Sequence, residues 1–202
     1  EGDDADGSIE RFQSLVQDGY KASVDLKLGE MRRAKLGLVA WDEDGAGSLW
    51  TSLSALMQKS RADYTILFRQ LSYVSAADLS TDTPAEALLA RLSPAFYCDK
   101  AAAEARDEWI NWLRLYVSRL RDEGRPELER TAEMQAASPK YIPREWILVG
   151  AYEAAEAGDS SVLEELLGLF SAPFDEHPHL EAKYYRTTPA EFRKKAGVSY
   201  FS

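Results

Sequence analysis

The sequence predicts an all-α fold, an irregular multi-helix domain followed by a largely irregular C-terminal tail. Three observations predict it. Apolar residues recur at steps of three and four through most of the 202 residues. No alternating apolar and polar run is long enough to mark a strand. Ser, Asp, Gly and Pro stand where the periodic stretches should begin and end. With 45% hydrophobic and 11% aromatic residues, the chain has material for one sizeable core or two small ones.

The acidic residues 1–7 read as a linker, and Ser8 as the cap of a first helix carrying Ile9, Phe12, Leu15, Val16 and Tyr20. The pattern continues through Val24, Leu28 and Met31, with Gly37 as terminator. Residues 42–48 read as an acidic loop, with Ser48 capping a second helix through Trp50, Leu53 and Met57. Tyr64, Leu67, Phe68 and Leu71 form a third stripe, and Pro84 suits the first turn of a short helix. The clearest helix carries Trp109, Trp112, Leu113, Tyr116, Val117 and Leu120 and ends at Gly124. A shorter one follows Pro126. Pro139 and Pro143 then impose an extended approach to a helix over 144–157, stopped by Gly158. Asp159 or Ser160 caps its partner, which carries Val162, Leu166 and Phe170. The helical domain thus spans 8–171, and 172–202 is a Pro-containing tail with room for one short helix.

Thirty-four Asp and Glu against 24 Lys and Arg give a net charge of −10, so the overall field repels phosphate backbones and anionic headgroups. Neither nucleic acid nor a membrane surface is an expected partner. Cys98 is the single cysteine, which rules out an internal disulfide and argues against a Cys-based zinc site. No run approaches the roughly 18 apolar residues of a spanning helix. The chain begins without Met, as a segment of something longer would.

Catalytic motifs are missing. Gly45-Ala46-Gly47 has Trp50 where a third phosphate-cradling glycine should stand, and neither a P-loop nor the kinase metal-binding words occur. Asp42, Glu43 and Asp44 lack the spread of ligands a calcium loop needs. His177 and His179 do not have a recognised metal-ligand spacing. No nucleophile elbow accompanies the serines. Accordingly no catalytic, cofactor-binding or metal-binding residue is expected in this chain.

Two stretches resist a pure packing account, 61–69 and 138–146, because each mixes charge, aromatic rings and a helix start. Asp63, Tyr64 and Arg69 in the first, and Lys140, Tyr141 and Arg144 in the second, are candidate domain-contact residues. Capping and local packing are the simpler alternative, Asp63 being a good cap.

These stretches also carry a resemblance. Met31-Arg32-Arg33-Ala34-Lys35-Leu36-Gly37-Leu38, Asp63-Tyr64-Thr65 with Phe68-Arg69-Gln70-Leu71, Ser138-Pro139-Lys140-Tyr141-Ile142-Pro143-Arg144 and Pro173-Phe174-Asp175-Glu176 resemble, in order, the C-terminal third of the selenoprotein O (SelO, YdiU) family. The family's words are K-x-G-L, D-Y-T-x-F-F-R-x-L and N-P-K-Y-x-x-R-N. The resemblance implies a pseudokinase-like protein that transfers AMP from ATP to Ser, Thr or Tyr hydroxyls of other proteins. In it, ATP and Mg belong to an upstream kinase-like domain, which would be this segment's partner beside the protein substrates. It also implies a mitochondrial location in a eukaryote and a cytoplasmic one in a bacterium. Ser138, Pro143 and Glu145 depart from the family pattern. Family members often close on Cys or selenocysteine followed by two Ser, whereas this chain stops at Ser202. A reading frame ended at a selenocysteine codon would produce that, and the transcript beyond Ser202 should then encode the redox-active tail. The rival expectation is a freestanding helical protein-binding module without enzymatic activity.

Overall fold

The computed structural model describes residues 3–79 and 85–193. Among them lie ten α-helices and no strand, only an isolated bridge between Ala62 and Phe96. The fold is all-α. The helix start at Pro84 and the chain end beyond Arg193 lie outside the described residues.

Helix α1 (Asp3–Leu36) begins inside the stretch expected to be a linker, so Ser8 lies within the helix and does not cap it. At the far end Gly37, at φ 66°, takes the left-handed conformation. Leu38 N–H donates to the Arg33 carbonyl (3.1 Å) and Gly37 N–H to that of Ala34 (3.2 Å), the paired bonds of a Schellman stop. Tyr116 Oη donates to the leftover Leu36 carbonyl at 2.9 Å.

The expected acidic loop is instead a single π turn, Glu43–Gly47. Asp42 is its cap, accepting from Gly45 and Ala46 N–H and, on its other oxygen, from Arg119 (2.8 Å). Helix α2 (Ser48–Ser60) follows without a break, so Ser48 opens the helix and its expected cap bond is not made. Arg61, at φ 52°, turns the chain into α3 (Tyr64–Leu71). Then come α4 (Ala85–Leu92), α5 (Asp99–Glu104), α6 (Arg106–Glu123) and α7 (Glu127–Ala137). Helix α8 (Glu145–Glu156) pairs with α9 (Ser161–Ser171), and α10 (Pro178–Tyr184) carries Pro178 in its first turn.

Two cores result. In the first, the α6 stripe expected to face inward does so: Trp109, Leu113, Tyr116 and Val117 are fully buried against Leu53 of α2, Leu67 and Leu71 of α3 and Leu88 of α4. Trp112 stacks on Tyr116 at 5.1 Å and donates its indole N–H to the Leu49 carbonyl at 3.0 Å. The second core joins Trp146, Ile147 and Ala151 of α8 to Leu166 and Leu169 of α9 and Leu180 and Tyr184 of α10. Tyr185 packs against both.

Candidate functional site

The charged words meet at the junction of the two cores. The segment between Pro139 and Pro143 cannot be helical, because each proline forces its predecessor extended and lacks an N–H. It therefore runs as an open strap whose Lys140 and Tyr141 N–H groups both donate to the Pro173 carbonyl, at 2.9 and 3.1 Å.

Asp63 is the hub of the first half. Its Oδ1 accepts from Ile66 N–H at 3.0 Å and caps α3. The Arg144 guanidinium meets the same carboxylate in a two-pronged pair, Nη1 to Oδ2 at 2.6 Å and Nη2 to Oδ1 at 2.8 Å. Tyr97 Oη donates to Oδ2 at 2.8 Å. Both charged side chains are buried. Bidentate geometry plus two further donors is what makes an ion pair tolerable away from water. A polar recess lined by Thr65, Tyr97, Ile142 and the pair itself opens here.

Arg69 and Glu176 anchor the second half. Arg69 is fully buried and donates to the Gln135 and Ser138 carbonyls at the end of α7, while its other terminal nitrogen pairs with Glu176. Lys35 donates to the Ala137 carbonyl at 3.0 Å and lies 5.1 Å from the rings of both Tyr64 and Phe68. Two cations thus serve the carbonyls at the negative end of α7. Burial lowers the pKa of Lys35. Glu176 also accepts from Lys140 (2.6 Å) and Tyr73 (3.0 Å), and Lys140 reaches Glu181 at 2.8 Å. Tyr141 Oη donates to the Glu176 carbonyl at 2.8 Å.

Burial alone would raise the Glu176 pKa, but the bonds from Lys140, Arg69 and Tyr73 outweigh it and hold the carboxyl at about 2, below its ordinary 4.5. A depressed carboxyl pKa contributes stability that is fully present above 4.5 and is lost as pH falls through about 2. Acid titration of unfolding stability should therefore slope between those limits, and Glu176→Gln should flatten that slope. An unchanged slope in the variant would remove Glu176 from the acid response.

Of the six candidate contact residues, Asp63, Arg69, Lys140, Tyr141 and Arg144 are buried and bonded within this chain. Tyr64 is 46% exposed, tilted against Phe68 at 4.7 Å between ring centres. Sequence reasoning missed Lys35, Tyr97 and Glu176 as members of the group, although Lys35 and Glu176 stand in the words that carry the resemblance. It missed Arg130 altogether. That side chain is buried beneath α6 and donates to the Val74 carbonyl at 2.6 Å, and no local pattern announces it.

A family model described as "Protein adenylyltransferase SelO" matches residues 2–171. The chain belongs to the SelO family. Proteins similar to this SelO chain include the "Protein nucleotidyltransferase YdiU" of an Azoarcus species, 36% identical over 196 residues that cover 97% of the chain and 36% of that relative. The YdiU of Photobacterium profundum is 33% identical over 202 residues, 98% of the chain and 36% of the relative. That of Myxococcus xanthus is 34% identical over 181 residues, 89% and 33%. The SelO chain thus spans about a third of the length of the curated relatives it matches.

A nucleotide with Mg needs carboxylates converging on the metal and donors left open for phosphate. Among the described residues no group of three or more His, Cys, Asp or Glu is placed to hold a metal ion. The buried cations face carbonyls and carboxylates of their own chain.

Proposed function

We propose that this chain is the helical, non-catalytic part of a SelO-type protein that transfers AMP from ATP to Ser, Thr or Tyr hydroxyls of other proteins. On this reading ATP and Mg belong to a kinase-like domain upstream, which is the chain's partner, and the chain's task is to hold that domain and a redox-active tail in place. The compartment would be the cytoplasm in a bacterium and the mitochondrion in a eukaryote. One observation carries the reading. The family's charged words bond to one another where the two cores meet, Arg144 on Asp63, and Arg69 and Lys140 on Glu176.

The test uses ATP labelled at its α-phosphate. A full-length SelO polypeptide containing this chain should label a protein acceptor, and the chain alone should label nothing. Titrating the chain alone with Mg–ATP should leave its melting temperature unchanged, whereas a ligand at 100 times its Kd would add about 2.7 kcal/mol. Labelling by the chain alone, or micromolar binding, overturns the assignment.

The second reading, a freestanding helical protein-binding module, draws on the exposed apolar residues of α1. The coding sequence before Glu1 separates the two. A nucleotide-binding region there supports the first reading and a start codon alone supports the second.

A further inference from the structure

With five of the six candidate contact residues buried inside the chain, an apolar stripe on α1 stands uncovered. Ile9, Phe12, Leu15, Val16 and Tyr20 are 53–73% exposed, and every described residue from Ile9 to Ser23 is exposed. Their spacing of three and four places them on one side of the helix. The packing of α1 against α3 and α7 is made toward its C-terminal end, where Tyr64 meets Met31 and Arg33 pairs with Glu133 (2.7 Å). Most of a 34-residue helix, about 1.5 Å of length per residue, therefore extends past the body it springs from. A helix of this kind has little stability in water unless its apolar side is covered, and exposed apolar residues gathered on one side of a helix mark an interaction site.

We infer that this stripe is the docking surface for the portion of a SelO protein that this chain does not include. The inference rests on the reading proposed above. The family model begins at residue 2, and coverage of 97 and 98% of the chain leaves no room for the Azoarcus and Photobacterium relatives to omit α1. The helix is thus an element of the SelO unit, and nearly two-thirds of each of those relatives lies outside the matched region. The flanking charges alternate, with Glu10, Asp18 and Asp25 against Arg11, Lys21 and Lys27. Such a border fits an apolar groove edged by both signs on a protein. It lacks the basic face that holds a helix on an anionic membrane.

Hydrogen exchange tests this. Amides 9–24 should exchange fast in the 202-residue chain alone and more slowly by about two orders of magnitude in the Azoarcus relative whose matched third is replaced by this chain. Phe12→Glu with Val16→Glu should abolish that protection, while Leu128→Glu, on the exposed face of α7, should leave it intact. The unaltered Azoarcus protein, with glutamate at the two aligned positions, provides the same comparison without a junction. Equal exchange in the isolated chain and the full-length protein overturns the inference. So does protection in the isolated chain that grows with its own concentration, which would make a second copy the occupant, or with anionic vesicles. If α1 is protected in a full-length protein that transfers no AMP, the docking surface stands and the proposed activity fails.

Discussion

Asp63→Asn lowers stability by about 3–5 kcal/mol, because it leaves the Arg144 guanidinium buried without its counter-charge. Asparagine keeps an oxygen for the Ile66 N–H, so the cap on α3 survives and the loss reports the ion pair. Arg144→Met removes the other partner and leaves Asp63 with the Tyr97 hydroxyl and the Ile66 amide, a smaller loss. The double variant should be more stable than the sum of the two single losses predicts, since the second change removes the stranded charge left by the first. Urea unfolding free energies, summed over the transitions each variant shows, decide it. Additive losses would mean the pair contributes nothing beyond its separate bonds.

Gly37→Ala has the second-largest expected effect. Alanine at φ 66° is strained, and its methyl would lie 2.6 Å from Met134 Sδ and 2.9 Å from Arg130 Cγ. Left-handed strain and overpacking together amount to about 2–5 kcal/mol. Both clashing residues belong to α7, so relief requires their side chains to give way, which disturbs Arg130 on the Val74 carbonyl. Gly124 is the control. It has φ 59° and nothing within 4 Å of an added methyl, so Gly124→Ala should show the conformational cost alone. Equal losses at the two positions would remove the close approach of α7 from the explanation.

What could be read from the sequence follows from where each signal resides. The α6 stripe and the glycine stops at 37, 124 and 158 are local, and they appear where periodicity and left-handed preference put them. Helix α5, Asp99–Glu104, passed unnoticed because its interior is alanine, which favours helix strongly but leaves no apolar period to detect. On α1 the period was legible and its burial was not. Amphipathic spacing says that a face is to be covered, and nothing in it says whether the cover belongs to the same chain. Asp63 could be recognised as a cap, yet its bond to Arg144, 81 residues away, is a product of tertiary packing. Glu176 lay in a tail expected to be irregular, and its importance arises only when Arg69 and Tyr73 at the end of α3 and Lys140 on the strap converge on it.

The central claim is that the charged family words close two cores into one cooperative body. Differential scanning calorimetry of the wild-type chain and of Asp63→Asn tests it most directly. One transition is expected in the wild type, with calorimetric and van't Hoff enthalpies equal. Separate melting of the α8–α10 core is expected in the variant. Two transitions in the wild type, or a variant that still melts in one, would contradict the claim.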